Sequence, residues 1–327
     1  MQSNSHNISK EDMILNNKYI IKDLISSGGT AVVFKCIDKE TGQAKAAKIF
    51  EKISFNGFQQ EAEIMQKISE INSPSLMKCY ESGISVLTHK KSNCQKMYAI
   101  LEFGNHGSLF DALIKTENGF SEDVCKYIFL KILNGVEDLH KNGICHRDIK
   151  SENIILVGDN YEIKLCDFGY STRFLDDNNQ KKKLNESKGT ACYAAPELFE
   201  DKEYEGDKID IFSLGALLFV LMTKKFGFIK AKIVNISSDP KKILYKLIKN
   251  KQYDKYWKIL EKECQLNSLP ENFKKLFLKM VAYNPEERPT IDQIKNDEWL
   301  QDVISATPEQ LNYLRNKMIS EIKALSQ

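Results

Sequence analysis

Arginine is scarce in this chain. Of 47 lysines and arginines among 327 residues, only Arg147, Arg173, Arg288 and Arg315 are arginine. Lysine serves wherever a surface cation suffices, so each remaining arginine marks a place where a planar, bidentate fork is expected. Net charge is small: the formal balance is +2, which gives no global pull toward nucleic acid or a membrane surface. Long apolar runs are missing. The longest nearly pure one, Leu214 to Met222, is far too short to span a bilayer. No basic start followed by an apolar stretch reads as a secretory signal, and the first residues do not fit the Met-Gly start of myristoylation. The eight cysteines are scattered and make no zinc-spaced pairs. Reduced thiols in a cytoplasmic protein are the expectation. No D-x-D-x-D-G loop occurs, so no calcium sensor is expected within the chain.

What is present is a composition, 42% hydrophobic and 28% charged, ample for one large core or two lobes. Residues 1–18 are polar and aperiodic and are expected to form a flexible arm. Short β-branched and apolar runs from Tyr19 to Phe50, broken by Ser-Ser-Gly-Gly and Glu-Thr-Gly, predict three antiparallel strands. Residues 57–70 have helical periodicity, with Ile64, Ile68 and Ile71 on one face. Two more strands are expected around 76–82 and 96–102, joined by an exposed polar loop, Thr88 to Asn93.

Past Gly104 the chain reads as mostly helical. Ser121 is an expected N-cap, with Glu122 and Asp123 in the first turn behind it. Val124, Ile128, Ile132, Val136 and Leu139 continue that helix, and Gly143 stops it. Asp207 to Met222, apolar on nearly every side, predicts a buried helix. Further helices are expected at 240–263, 270–282 and 290–301. Thr307-Pro308-Glu309-Gln310 reads as a capped helix start. Leu311, Leu314, Met318, Ile322 and Leu325 then make one apolar stripe over about five turns. That tail helix would dock on its own chain, cover a substrate groove, or pair with a second chain.

Three ordered blocks carry chemistry. His146-Arg147-Asp148-Ile149-Lys150-Ser151-Glu152-Asn153 reads H-R-D-x-K-x-x-N. Asp167-Phe168-Gly169 follows, then Gly189-Thr190-Ala191-Cys192-Tyr193-Ala194-Ala195-Pro196-Glu197. Their order and spacing resemble the catalytic loop, metal-binding triplet and activation-segment end of eukaryotic-type protein kinases, serine/threonine type, with a layout similar to the calcium/calmodulin-dependent group. The resemblance covers residues 19–301. It implies an α+β, bilobal protein-kinase fold: a small β-rich N-lobe with one main helix (19–101), a hinge (102–105) and a larger α-rich C-lobe (106–301), with the helical tail at 302–327. Two of the four arginines, Arg147 and Arg288, fall on motifs of this family.

Phosphoryl transfer needs held phosphates, neutralised charge and an oriented nucleophile. The resemblance implies Asp148 as the base or hydroxyl-orienting residue and Lys150 as a contact of the transferring phosphate. Asn153 and Asp167 are hard oxygen ligands suited to Mg²⁺. Ile25-Ser26-Ser27-Gly28-Gly29-Thr30-Ala31-Val32-Val33 is a partial match to the glycine-rich phosphate loop. Ser26 and Ala31 replace its first and third glycines, and Val33 would pack on adenine. Ala46 would line the adenine pocket, and Lys48 would hold the α- and β-phosphates of ATP. The resemblance implies Glu61 as the counter-ion of Lys48, because Ile64, Met65 and Ile68 then fall on the family's helix positions. Glu63 is the runner-up, about 200° around the helix, so both cannot face Lys48. Glu102-Phe103-Gly104 resembles the hinge, Leu101 the gatekeeper and Ile155 the floor of the pocket, with Cys166 at its rear. Glu197 and Arg288 resemble a buried ion pair. Asp210 resembles the helix carboxylate that fixes the catalytic-loop backbone, and Phe212 stands where the family often has tryptophan. Glu186 or Ser187 would meet Arg147 in the activation segment.

Protein substrates are the implied partners. The resemblance implies that Glu152, where the family often has an acid, would favour a basic residue before the target hydroxyl, and that Ser108, where relatives can carry an acid, would make the preference moderate. No nucleic-acid or membrane partner is expected, and the oligomeric state is open. The altered glycine loop keeps a pseudokinase scaffold as the alternative, and the shared Asp–Asn pair keeps a small-molecule phosphotransferase.

Overall fold

Two compact units, divided between Asn105 and His106, make up the chain. The computed structural model describes residues 13–89, 92–116, 119–176, 178–200, 202–228, 231, 240–266 and 268–324.

The first unit is a closed antiparallel barrel with one helix. Its strands are β1 (Met13–Leu15), β2 (Tyr19–Ser27), β3 (Ala31–Asp38), β4 (Ala44–Phe50), β5 (Cys79–His89) and β6 (Ser92–Leu101), in the order β1-β2-β3-β4-β6-β5. β1 pairs with both β2 and β5 and so closes the barrel. The arm expected over residues 1–18 is corrected here. Met13, Ile14 and Leu15 are an apolar trio, and Leu15 is fully buried in a core with Tyr19, Ile21, Cys36, Ala47, Ile49, Tyr98 and Ile100. Residues 1–12 lie outside the described residues. The loop expected from Thr88 to Asn93 is also shorter than that, because the ladder continues to His89 and Ser92. The helix, α1 (Phe55–Ile71), starts at Ser54, whose side chain accepts from Gly57 N. It buries Phe58, Glu61, Ile64, Met65 and Ile68. Ser69 Oγ anchors its end to β5 through the backbone of Cys79.

One polar cluster is built into this barrel. Glu81 accepts from Tyr19 Oη (2.7 Å), from Asn16 Nδ2 (2.9 Å) and from Tyr98 Oη, and Ser85 Oγ donates to Asn16 Oδ1 (2.9 Å). Burial pushes the Glu81 carboxyl up, but hydrogen bonds from Tyr98, Tyr19 and Asn16 and the charge of Lys18 outweigh it, leaving the pKa below the usual carboxylate range.

The second unit is helical. α2 (Leu109–Lys115) and α3 (Glu122–Lys141) precede a set of short strands: β7 (Ile144–Cys145), β8 (Ile154–Val157), β9 (Glu162–Leu165) and β10 (Thr172–Arg173). β8 pairs with β9 and β7 with β10. α4 (Gly206–Thr223) is buried on nearly every side, as its uniform apolarity predicts. It packs on α3 and on α7 (Glu271–Met280), which is reached through α5 (Pro240–Lys249) and α6 (Tyr253–Cys264). The single helix expected at 240–263 is therefore two: the chain turns at 250–252, where Lys251 adopts a left-handed φ of 55°. The helix expected at 290–301 is likewise split into α8 (Ile291–Lys295), a 3-10 turn at Glu298–Leu300 and α9 (Gln301–Ile304). Asp297 caps that turn by accepting from Trp299 N. α10 (Pro308–Lys323) closes the described chain with the expected capping box between Thr307 and Gln310.

α10 docks on α3 of its own chain. Met318 and Ile322 are buried, Leu311 and Leu314 are half-buried, and Leu325 lies outside the described residues. Lys317 Nζ holds both oxygens of Asp123, at 2.8 and 2.7 Å. Ser121 occupies the N-cap position of α3 but makes no side-chain cap bond. Instead its N–H (3.1 Å) and its hydroxyl both donate to Glu321. A carboxylate from the tail thus sits at the N-terminus of a 20-residue helix, where the aligned peptide dipoles favour negative charge. Among the described residues, no helix is long and apolar enough to cross a membrane.

Candidate active site

In the first unit, Lys48 is placed by the β4 ladder, where its backbone faces Val33 on one side and Ala99 on the other. Its ammonium donates to Glu61 Oε1 at 2.7 Å, and both side chains are buried. Glu63 points outward and pairs with Lys67 at 3.0 Å. The helix period makes these two glutamates exclusive, and the structure seats Glu61 on Lys48. Ala46 and Ala31 are buried. Ile25, Ser26 and Ser27 are exposed at the end of β2, and the turn to β3 closes with Gly28 N donating to Ala31 O at 2.9 Å. A Cβ on Gly29 would meet nothing, so packing does not demand glycine there. Leu101 pairs with Ala46 at the end of β6. Glu102 N donates to Lys78 O at 2.9 Å, Phe103 lies under Lys35 Nζ at 5.3 Å, and Gly104 is half-buried.

In the second unit, the loop after β7 carries the remaining residues. Asp210 of α4, fully buried, accepts from His146 N (2.8 Å), Arg147 N (2.8 Å) and His140 Nε2 (2.9 Å). Asp148 N donates to His146 Nδ1 at 3.2 Å, so the ring carries its proton on Nε2, which bonds Cys166 O at 3.0 Å. These bonds hold Arg147 at a left-handed φ of 66°.

The Asp148 carboxylate is ringed by donors. Oδ1 accepts from Thr190 Oγ1 at 2.7 Å. Oδ2 lies 2.8 Å from Lys150 Nζ and 3.1 Å from Asn153 Nδ2. Lys150 also donates to Thr190 Oγ1 at 2.8 Å. Burial would lower the Lys150 pKa, but the hydrogen bond and charge of Asp148, with Glu152 and Asp167, raise it. Lys150 therefore stays a cation throughout the neutral range. The role of Thr190 is not legible from its motif alone; a small polar residue next to Gly189 is the local sign of it. Gly189 is required here: its φ is 116°, and a Cβ would stand 2.7 Å from Arg147 O.

Asn153 and Asp167 are brought side by side by the β8–β9 hairpin. Its ladder ends at Ile154 opposite Leu165, and Cys166 N donates to Asn153 O at 2.9 Å. Asp167 is exposed and, like Arg147, left-handed, with φ 58°. Asn153 Nδ2 donates to Asp148 O at 2.8 Å, so its side-chain oxygen is the atom that would ligate a cation. Among the described residues no cluster of three His, Cys, Asp or Glu could hold a metal alone. The pair fits Mg²⁺, which is usually held by one or two carboxylates together with substrate phosphates. Ile155 is half-buried beside Ser108, and Cys166 is half-buried.

Arg147 also meets the activation segment. Its Nη1 and Nη2 both reach Glu186 Oε2 at 3.3 Å, while Nε donates to Tyr170 O at 2.5 Å. Ser187 Oγ turns away to Leu198 O at 2.9 Å. Glu197 and Arg288 form a bidentate buried pair at 2.6 and 2.7 Å. Phe212, in place of the tryptophan common in the resembling family, packs under the Arg288 guanidinium at 5.0 Å. Glu152 is exposed, and Ser108 is taken up in a capping box with Asp111.

Comparison with known proteins agrees with this geometry. The protein kinase domain family matches residues 19–300. A human SNF-related serine/threonine-protein kinase is 30% identical over 93% of this chain, which covers 36% of that protein. A probable serine/threonine-protein kinase, fhkC, of Dictyostelium discoideum is 30% identical over 89% of this chain and 46% of its own. A probable myosin light chain kinase of the same organism is 27% identical over 95% of this chain and 76% of its own. The chain thus spans less than half the length of the first two relatives. Kinases of this family take ATP, generally with a divalent metal, and act on proteins. The chain belongs to the protein kinase domain family, among its serine/threonine protein kinases.

Proposed function

We propose that the chain transfers the γ-phosphate of ATP to serine and threonine hydroxyls of proteins. The ring of Lys150, Thr190 and Asn153 around Asp148 is the observation that carries this reading. The Thr190 hydroxyl donates to Asp148 Oδ1. An acceptor hydroxyl entering the site would meet the same oxygen, which orients it and takes its proton. Lys150, held as a cation, stabilises charge on the transferring group. Lys48, fixed by Glu61, holds the α- and β-phosphates, with Ile25 to Val33 over them. In the first unit, Ala46, Leu101 and the backbone of Glu102 to Gly104 are assigned to adenine recognition; in the second, Ile155 and Cys166 are assigned the same task. Asn153 and Asp167 would hold Mg²⁺, which when bound neutralises phosphate charge.

Glu152 selects moderately for a basic residue before the target, by about 1 kcal/mol for a partly exposed contact. The relatives support a place near the calcium/calmodulin-dependent group, and eight free cysteines support a cytoplasmic setting. The test is labelled-phosphate transfer with Mg²⁺ and generic protein substrates, beside Asp148→Asn and Lys48→Met. Wild type should label its substrates and both variants should not. Nucleotide binding without any transfer by wild type would favour the scaffold reading instead.

A further inference from the structure

The Arg147–Glu186 pair is too weak to fix the activation segment by itself. The Glu186 side chain is 61% exposed, and both guanidinium nitrogens share one oxygen at 3.3 Å. Arg147 itself is buried, but water reaches the Glu186 carboxylate and screens the pair, so its contribution is small. A second residue reaches the same two groups. Tyr204, only 3% exposed, stands just before α4. Its hydroxyl donates to Glu186 O at 2.6 Å and accepts from Arg147 Nη1 at 3.2 Å. Its backbone exchanges a pair of hydrogen bonds with Leu184, at 2.9 and 2.8 Å.

The neighbours of Tyr204 extend the seam. Lys181 reaches Asp207 at 2.6 Å and Glu205 at 3.3 Å, and Lys183 reaches Glu205 at 2.6 Å. The stretch from Tyr204 to Asp207 therefore clips the segment from Lys181 to Glu186. Gly189 and Thr190 follow within four residues, Gly189 against the Arg147 carbonyl and Thr190 on Asp148.

We propose that Tyr204 is a positioning residue for phosphoryl transfer. It locks Arg147 and the Glu186 backbone in register, so that Thr190 and Lys150 are set on Asp148 with no phosphate on the segment. This rests on the kinase reading above, through the role given to Asp148.

The test uses the full chain with Tyr204→Phe, Glu186→Gln and the double variant. Tyr204→Phe should fold, keep its KM for ATP and lose about tenfold in kcat, a loss larger than that of Glu186→Gln. The double variant should lose little more than Tyr204→Phe alone, because both act through Arg147. Hydrogen exchange should quicken over residues 181–188 in Tyr204→Phe and stay unchanged in α4. An unchanged kcat, a loss explained wholly by a smaller folded fraction, or fully additive losses would each overturn the proposal. Should wild type transfer no phosphate, the kinase reading fails separately. Exchange then still decides the clamp: faster exchange over 181–188 supports it, and unchanged exchange overturns it.

Discussion

Buried charge separates the residues here that tolerate change from those that do not. Arg288 spends its guanidinium on Glu197 and on the carbonyls of Ala282 and Lys208, with Phe212 beneath it. Arg288→Ala strands a buried carboxylate and should cost about 3–5 kcal/mol in chemical denaturation. Arg288→Lys should recover less than half of that, since a lysine cannot reproduce the fork. The exposed Glu186 is the contrary case. Glu186→Ala should lower kcat severalfold without a measurable change in stability, whereas Ser187→Ala should do little. Phosphatase-treated enzyme should keep substantial activity; complete loss, restored by phosphorylation of Ser187, would move the switch to that residue. Most of these side chains were legible in advance because H-R-D, D-F-G and A-P-E are local strings with fixed chemistry. Tyr204 and Thr190 were not, since their roles exist only once the segment has folded back onto the catalytic loop.

Elements were legible where one period dominated. α3 and α4 announced themselves by helical repeat and uniform apolarity, and β2 to β4 by β-branched runs between turn signals. β1 was missed because three apolar residues are too few to set a period, and pairing with both β2 and β5 decides their place. Ser121 is the N-cap of α3 as its sequence predicts, but its hydroxyl does not cap the helix, for a related reason. Its partner Glu321 lies 200 residues away and competes successfully for the Ser121 hydroxyl. Glu321→Ala should therefore cost about 1 kcal/mol, the value of a lost cap, seen as a lower thermal midpoint. If α10 only packs, truncation after Trp299 should lower stability and leave kcat per folded molecule unchanged. Raised activity would instead show autoinhibition. The Glu81 cluster makes a pH prediction. A carboxyl depressed below 4.5 contributes stability that is full above that pH and lost as pH falls through its folded-state value. Glu81→Gln should flatten the acid limb of the stability curve; an unaltered limb would show that the cluster does not couple barrel closure to charge.

At the scale of the molecule, a β-barrel unit carries the Lys48–Glu61 pair, and a helical unit carries Asp148 and its donors. The division near Asn105 was readable from the shift of β-branched runs to helical repeats. What composition could not carry was the stitching of the second unit by contacts distant in sequence: tail to α3, activation segment to the stretch before α4. The central claim is that these parts make a serine/threonine kinase. Its most direct test is phosphoamino-acid analysis of protein substrates labelled from γ-labelled ATP by phosphatase-treated wild-type chain, with Asp148→Asn in parallel. The account predicts label on serine and threonine, none on tyrosine, and loss of label in the variant. Label on tyrosine alone, no label with wild type, or equal label with Asp148→Asn would contradict it.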